Sequence, residues 1–371
     1  MSSVIIAGDT SGSITLAAPA ASGASVLTLP VATDTLVGKA TTDTLTNKTL
    51  TAPVLGTPAS GILTSCTGLN YDGFKNRIIN GAMVLDQRNA GASVTVSTSV
   101  NTFPVDRMAL ISPGATTTAQ RVAGTGAYTY DVLYTGAASV TASYLFQRIE
   151  SFNCLDLVSK NVTFQVQLSS TTVTSVAVGL FSGNSTDTFT APVSISTTTF
   201  TITSTPTIYT WTVNAGANAA NGLQIQLNFG AFTSGTARIS GMQLEKGSTA
   251  TSFDYRSYGT ELALCQRYYF RNTGSAYAMH GVGTVFSTTQ ADVYTKFPVS
   301  MRTIPSVSLS ATQIQVGATI YAATSVSGAS GITTDGAFSR VGTAGTMVVG
   351  YAAILTNANN ASGYLDATSE L

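Results

Sequence analysis

Apolar side chains in this chain recur at every second position. Val162, Phe164, Val166 and Leu168 alternate with polar residues. So do Leu223, Ile225, Leu227 and Phe229, with Gln and Asn between them, and Tyr209, Trp211 and Val213. A period of two sends one face of a strand to a core and the other to solvent. Gly, Ser and Asn clusters punctuate these runs, as they do between short strands. Over residues 237–244 the phase slips: Ala237 and Ile239 share one face, then Met242 and Leu244 do, with Gly241 at the slip. One extra residue at a glycine predicts a β-bulge. Eight or more short strands and no long helix predict an all-β protein with an antiparallel β-sandwich or jelly roll. Trp211, the single Trp, shares its face with Tyr209 and Val213 and is assigned to the core.

Composition narrows the function class. Hydrophobic residues make up 44% of the 371, enough for a packed core, while only 9% are charged. Ordinary globular chains carry about 25% charged residues; here Ser and Thr take their place. Seventeen basic and seventeen acidic residues leave zero net charge. No basic field offers itself to phosphates, so nucleic-acid binding is set aside. The longest apolar run, 347–355, is broken by Gly350 and falls far short of the ~20 residues of a spanning helix, so membrane insertion is not expected. MSSVIIAGDT has no basic region and no cleavage site, so no signal peptide is expected. Cys66, Cys154 and Cys265 are odd in number and far apart. They predict buried free thiols rather than a disulfide framework or a zinc site. Such a chain suits assembly in a cytosol and use outside it.

Three regions follow. Residues 1–70 hold no aromatic residue and repeat Thr-Asp-Thr-Leu at 33–36 and 42–45. Such a segment buries little area alone. It is expected to be an extended, intertwined shaft or anchor, completed by identical chains; a plain linker is the alternative. Residues 71–256 form the sandwich. Residues 257–371 open with a short helix, 260–266, where Thr260 can cap and Glu261 suits the first turn. A second β-sandwich then forms the C-terminal tip. Its Gly-, Ser- and Ala-rich stretch, 322–345, is expected to form exposed loops, with Pro298 and Pro305 at strand edges.

The segments NRIINGAMVLDQR (76–88), FPVDRMAL (103–110), YLFQRIE (144–150), QLEKGSTATSFDYRSYGTELALCQRYYFR (243–271) and FPVSMRTIPSV (297–307) together resemble tail fibre proteins of tailed bacteriophages. TDTLTNKTLTAPVLGTP (42–58) resembles their N-terminal part. The resemblance implies an elongated homotrimer with a jelly-roll domain akin to carbohydrate-binding modules before a β-rich tip. It implies attachment to tail or baseplate proteins through residues 1–70, a place in the virion, and binding of host-surface polysaccharide or lipopolysaccharide. The chain departs from it in being short, with no long repeat array and no heptad run.

Catalytic signatures are sparse. A Ser–His–Asp apparatus could use only His280. No G-x-S-x-G, H-E-x-x-H or G-x-x-x-x-G-K pattern occurs. Glycan hydrolysis needs only two carboxylates ~5–9 Å apart and is the enzymatic alternative. Asp86 and Asp106, beside Arg88 and Arg107, predict structural ion pairs instead. Depolymerising tailspikes of the resembled class usually resemble long parallel β-helices, for which two sandwich-sized blocks leave no room. Asp72 and Glu245 are conceivable Ca²⁺ ligands, read as plain surface acids for want of a Ca²⁺ loop motif; no cofactor is expected. Tyr268 and Phe270 alternate with Tyr269 and Arg271, one pair toward a core and the other toward a neighbouring chain. Exposed aromatics and planar polar groups in distal loops nominate Tyr277, His280, Asp335 and Arg340 as receptor contacts. A structural connector without receptor contact remains a further alternative.

Overall fold

The computed structural model describes residues 3–7, 10–17, 74–359 and 362–371. The chain divides into two compact units, 1–65 and 66–371. In the first, β1 (Ser3–Ala7) and β2 (Ser13–Ala17) form an antiparallel hairpin. Val4, Ile5 and Ile6 stay exposed on it. The rest of the expected shaft, the Thr-Asp-Thr-Leu repeats, Cys66 and Asp72 lie outside the described residues.

In the second unit the strands are β3 (Val94–Val96), β4 (Thr102–Val105), β5 (Met108–Ile111), β6 (Thr117–Ala123), β7 (Tyr130–Thr135) and β8 (Tyr144–Ile149). They continue with β9 (Asn161–Ser170), β10 (Ser175–Ser182), β11 (Val193–Thr201), β12 (Thr207–Asn214), β13 (Leu223–Asn228) and β14 (Thr236–Lys246). These twelve make two six-stranded antiparallel sheets, β11-β10-β13-β8-β5-β4 and β12-β9-β14-β7-β6-β3. The expected jelly-roll sandwich is borne out. Its core holds Val162, Phe164, Val166, Leu168, Leu223, Ile225 and Leu227, as the alternation requires. Tyr209, Trp211 and Val213 pack against that core half-buried, because β12 is an edge strand.

The bulge falls where the phase slips, with the β14–β9 register shifting between Ser240 and Gln243. Gly241 has φ of 60° there, and a Cβ on it would run into the Tyr128 ring. Both the left-handed backbone and the close approach demand glycine.

Helix α1 spans Tyr258–Gln266, with Ser257 at the N-cap position. Thr260 therefore sits in the first turn and not at the cap; its hydroxyl meets that of Ser257 at 2.7 Å. The C-terminal strands are β15 (Tyr269–Thr273), β16 (Met279–Ser287), β17 (Gln290–Lys296), β18 (Ser306–Ser310), β19 (Thr312–Val316), β20 (Thr319–Ile332), β21 (Gly336–Thr343), β22 (Ala352–Asn357) and β23 (Tyr364–Thr368). Here the architecture differs from a second sandwich. Six strands close into a barrel, β16-β17-β21-β20-β19-β22, beside a three-stranded sheet β15-β23-β18. Closure leaves no unpaired edge, which a short block of strands otherwise has to protect. The stretch 322–345, expected as loops, instead supplies most of β20 and β21: small residues pair well where a tight barrel crowds its strands. Pro298 and Pro305 lie in the turns just outside β17 and β18 rather than on strand edges.

Gly241→Ala is expected to destabilise the second unit by about 2–4 kcal/mol, from the forced φ and the ring clash together. Thermal unfolding checks it; an unchanged melting temperature would contradict the assignment of the bulge.

Candidate functional site

The two sheets of the sandwich differ in what covers their outer faces. Over β9 and β14 the face is roofed. The Ala127 amide donates to Gln167 Oε1 at 2.7 Å, the Thr251 amide to Glu245 at 2.8 Å and the Asp254 amide to Gln243 Oε1 at 2.8 Å. Two loops, around 124–128 and 248–256, thus lie on that sheet. Glu245 is the latch of the second loop and is buried, not the surface acid expected. Among the described residues no group of three or more His, Cys, Asp or Glu could hold a metal.

The outer face of the other sheet carries aromatic rings and planar amides in register. Phe146 stands beside Gln226, Gln226 beside Gly179 and Gly179 beside Thr197. Flanking this row, Tyr144, Asn228, Ala177 and Thr199 form a second, and Arg148, Gln224, Phe181 and Ser194 a third. The Phe181 ring lies down over Gly179, where a Cβ would come within 2.5 Å of the ring. Glycine is what lets a ring lie flat on a strand. Phe181, Tyr144, Gln226 and Asn228 are all half-buried.

A polarised chain sets the amides. Arg148 Nε donates to Gln224 Oε1 at 2.9 Å, and Gln224 Nε2 donates to Gln226 Oε1 at 3.0 Å. The guanidinium therefore fixes which way both amides point, and leaves Gln226 Nε2 without a partner among the described residues. Asn228 Oδ1 accepts from the Gly230 amide at 2.8 Å, turning its own nitrogen outward. The face offers an apolar ring, free N–H donors and threonine hydroxyls at the rim, and no carboxylate at the outward positions of β8, β10 and β13. Those groups complement a pyranose, which has an apolar C–H face and hydroxyls at its edge.

The four nominated contacts do not converge, and no hydrogen bond or ion pair joins any two of them. Tyr277 is exposed, at φ of 64° in the turn before β16. Asp335 lies exposed in the β20–β21 turn and accepts a hydrogen bond from the Ser300 hydroxyl. Arg340 is spent on Asp292, with nitrogen–oxygen distances of 2.7 and 2.8 Å, and its guanidinium stacks 3.5 Å from the centre of the Phe286 ring. His280 is buried at 4% exposure against Asn357, and burial holds its pKa below the usual imidazole range. A side chain this buried, with its Nε2 engaged by Asn357, offers a receptor almost no surface, so His280 is withdrawn as a contact.

The segments that carry the family resemblance prove to be a buried polar seam. The Asn76 side chain bonds Met242 O, the Ile78 amide and the Leu244 amide. Arg256 holds Asn76 O, Ile78 O and Glu261, and Gln147 both accepts from and donates to the Ile79 backbone. Arg88 pairs with Asp106 at 3.4 Å and with Glu370 at 2.8 Å; Arg107 pairs with Glu370 and lies 3.5 Å above the Tyr268 ring. Among the described residues Asp86 makes no such pair and instead accepts the Asn89 and Gly91 amides at 3.0 and 2.7 Å. Burial pushes the Asp106 carboxyl up against the pull of Arg88 and Gln87. Tyr269 and Arg271 face this seam within the same chain, under Arg88 and against Asp366, rather than a neighbouring chain. Cys154 and Cys265 are free and buried, and burial pushes the Cys154 thiol up to about 12.

Against known proteins the findings are spare. No protein-family model matches the sequence, and no curated protein matches it. Similar solved structures include a CBM4 protein at 15% identity, covering 45% of this chain and 98% of that one, with a TM-score of 0.30. A putative sugar binding protein from Bacteroides thetaiotaomicron is 14% identical over 46% of this chain and 100% of that one, with a TM-score of 0.30. The enzymatically active domain of tailspike protein 4 of bacteriophage CBA120 is 12% identical over 47% of this chain and 22% of that one, with a TM-score of 0.31.

The seam has a pH signature. Burial opposes ionisation of Glu150, but hydrogen bonds from Arg267 and Tyr268 and the Arg267 charge outweigh it and hold its carboxyl below the usual range. The resulting stabilisation is complete above the unfolded pKa of about 4.3 and is lost as pH falls through the lower folded value. Glu150→Gln should lower the melting temperature at pH 7 and flatten its fall below about pH 4.3. A mutant curve parallel to wild type down to the acid limb would remove this role.

Proposed function

We propose that the protein is a tail fibre of a tailed bacteriophage that attaches to the bacterial surface by binding polysaccharide or lipopolysaccharide without cleaving it. The observation that carries the binding reading is the patch of Phe181, Gln226 and Asn228, one from each of three neighbouring cross-strand rows on the outer face of the sandwich. A ring laid flat with oriented amides beside it is an expensive arrangement to leave facing water. Non-catalytic binding is favoured because hydrolysis needs two carboxylates flanking the bond, and the outward positions of β8, β10 and β13 carry none. The seam acids, Asp86, Asp106, Glu150 and Glu370, are already committed to backbone amides, arginines or a tyrosine hydroxyl.

The tail-fibre reading rests on the resemblance of the sequence motifs. Residues 1–70 serve as the shaft or anchor that docks on tail or baseplate proteins. The β1–β2 hairpin supports this: two strands alone are marginal in water, and its valine and isoleucines are left uncovered. Three chains on an axis cover such surfaces and present three copies of the sugar face. Linked sites raise avidity by ~10²–10⁴ over a single weak contact. The protein is assembled in the host cytoplasm and works on the virion. Neutral amide and hydroxyl recognition fits a chain with so few charges.

Retention on purified host polysaccharide, with no new reducing ends after incubation, is the expected result; new reducing ends would instead identify a depolymerase. Phe181→Ala and Gln226→Ala should each weaken single-site binding about ten-fold, the size of one stacking or hydrogen-bond contribution. Wild-type retention by both would move the site elsewhere. Light scattering at micromolar concentration should give three chains per particle, and a monomer would remove the avidity argument.

A further inference from the structure

A pocket of about 110 Å³ opens where the loop around 248–256 meets the start of helix α1. Phe253, Asp254, Tyr255, Tyr258 and Glu261 line it with Asn80. That space is several times the roughly 10–15 Å³ that one water needs. The loop belongs to the roof over β9 and β14, so the pocket lies on the other sheet from Phe181, Gln226 and Asn228.

Two of its aromatic residues stand in solvent. Tyr255 is 65% exposed and Tyr258 63%. Neither phenol hydroxyl makes a hydrogen bond among the described residues. Tyrosine suits a wet binding surface, with an apolar ring and a polar tip. The wall behind Tyr255 is fixed. Its ring meets Phe253 edge-on with centres 4.8 Å apart, and Phe253 meets Tyr128 edge-on at 5.0 Å. Tyr128 in turn packs on Gly241 at the bulge. A wall already held in place loses little freedom when a ligand arrives.

The two carboxylates differ in what they have left to offer. Glu261 is taken: it accepts the Asn80 amide, and Arg256 Nη1 donates to its two oxygens at 3.1 and 3.2 Å. Asp254 accepts the Asn76 amide through Oδ2 at 3.2 Å, and its Oδ1 has no partner among the described residues. Asp254 is half-buried, and its own amide, bonded to Gln243 Oε1 at 2.8 Å, pins it in place. The uncommitted groups are thus one carboxylate oxygen, which only accepts, and two phenol hydroxyls, which donate or accept. They stand with apolar rings around a space of a few waters. A pyranose matches that set, with a C–H face for a ring and hydroxyl donors for a carboxylate.

We propose that this pocket is a second carbohydrate subsite, taking one pyranose unit with a hydroxyl donated to Asp254 and the ring against Tyr258 and Tyr255. The inference rests on the glycan-binding reading and adds a site to it. The two sites differ in chemistry: the sheet face presents amide donors and no carboxylate, whereas this pocket presents an acceptor. One chain would then grip a polysaccharide at two points, which raises its effective affinity without any new contact at the first.

The test is calorimetric titration of the full chain with short oligosaccharides released from the host polysaccharide that the wild-type chain retains. Two equivalents per chain are expected. Phe181→Ala should leave the pocket alone, and Tyr258→Ala should leave the sheet face alone, each giving one equivalent; the double variant should bind none. On the Phe181→Ala background, Asp254→Asn should weaken the remaining site about ten-fold, the size of one charge-assisted hydrogen bond. Tyr258 is exposed and unbonded, so its removal leaves folding intact, and an unchanged melting temperature checks this. A single equivalent that Phe181→Ala abolishes and Tyr258→Ala leaves untouched would overturn the subsite while keeping the glycan reading. No retention of polysaccharide by the wild-type chain would remove both.

Discussion

A buried arginine–amide seam holds the second unit together. Burying polar groups is costly unless they find hydrogen-bond partners. Here Asn76 ties the entry segment to β14, Gln147 ties it to β8, Asn80 ties it to Asp106 O and Arg256 bridges it to Glu261 of α1, while Arg88 and Arg107 reach Glu370 near the other end of the sequence. Arg302 adds bonds to Ser369 O and Glu370 O at 2.9 Å each. Elements far apart in sequence are thus fixed by groups with few alternative partners. Surface pairs do much less: Arg77–Asp156, at 24% and 46% side-chain exposure, falls in the class worth about 0–1 kcal/mol.

The seam leaves the two sheet faces free to differ. Loops tied to Gln167, Gln243 and Glu245 close one. On the other Tyr144, Phe181, Gln226 and Asn228 stay half-exposed, and Arg148 belongs to both regions: it orients Gln224 on the face and donates to Leu371 O at 2.9 Å. Orientation of a binding amide by a fixed guanidinium is a way to pre-set a weak site, so that less ordering is needed when a ligand arrives.

Strand alternation made the sandwich legible, and the Gly241 bulge followed from one slip in phase. The barrel was not legible, because periodicity reports which residues face inward and says nothing of whether a sheet closes. The stretch 322–345 misled for a related reason: small residues that signal loops elsewhere are also what tightly paired strands admit. Receptor contacts were sought at exposed-looking aromatics and at the single histidine, but burial of His280 and the Arg340–Asp292 pair depend on partners 77 and 48 residues away. The better signal lay within the alternation itself. Gln224, Gln226 and Asn228 occupy the outward side of β13, where Thr, Ser or Lys would be ordinary, and Phe181 two residues after Gly179 is the spacing that lets a ring lie flat. Neither is interpretable until the neighbouring strand is known.

The central claim is that the half-exposed patch on β10 and β13 of the sandwich, rather than the barrel loops, meets the sugar. A structure determined with a retained surface oligosaccharide bound tests it most directly. The account predicts a sugar ring over Phe181 with hydrogen bonds from the side-chain nitrogens of Gln226 and Asn228. A ligand seated on the loops at Tyr277 and Asp335, with the sheet face empty, would contradict it.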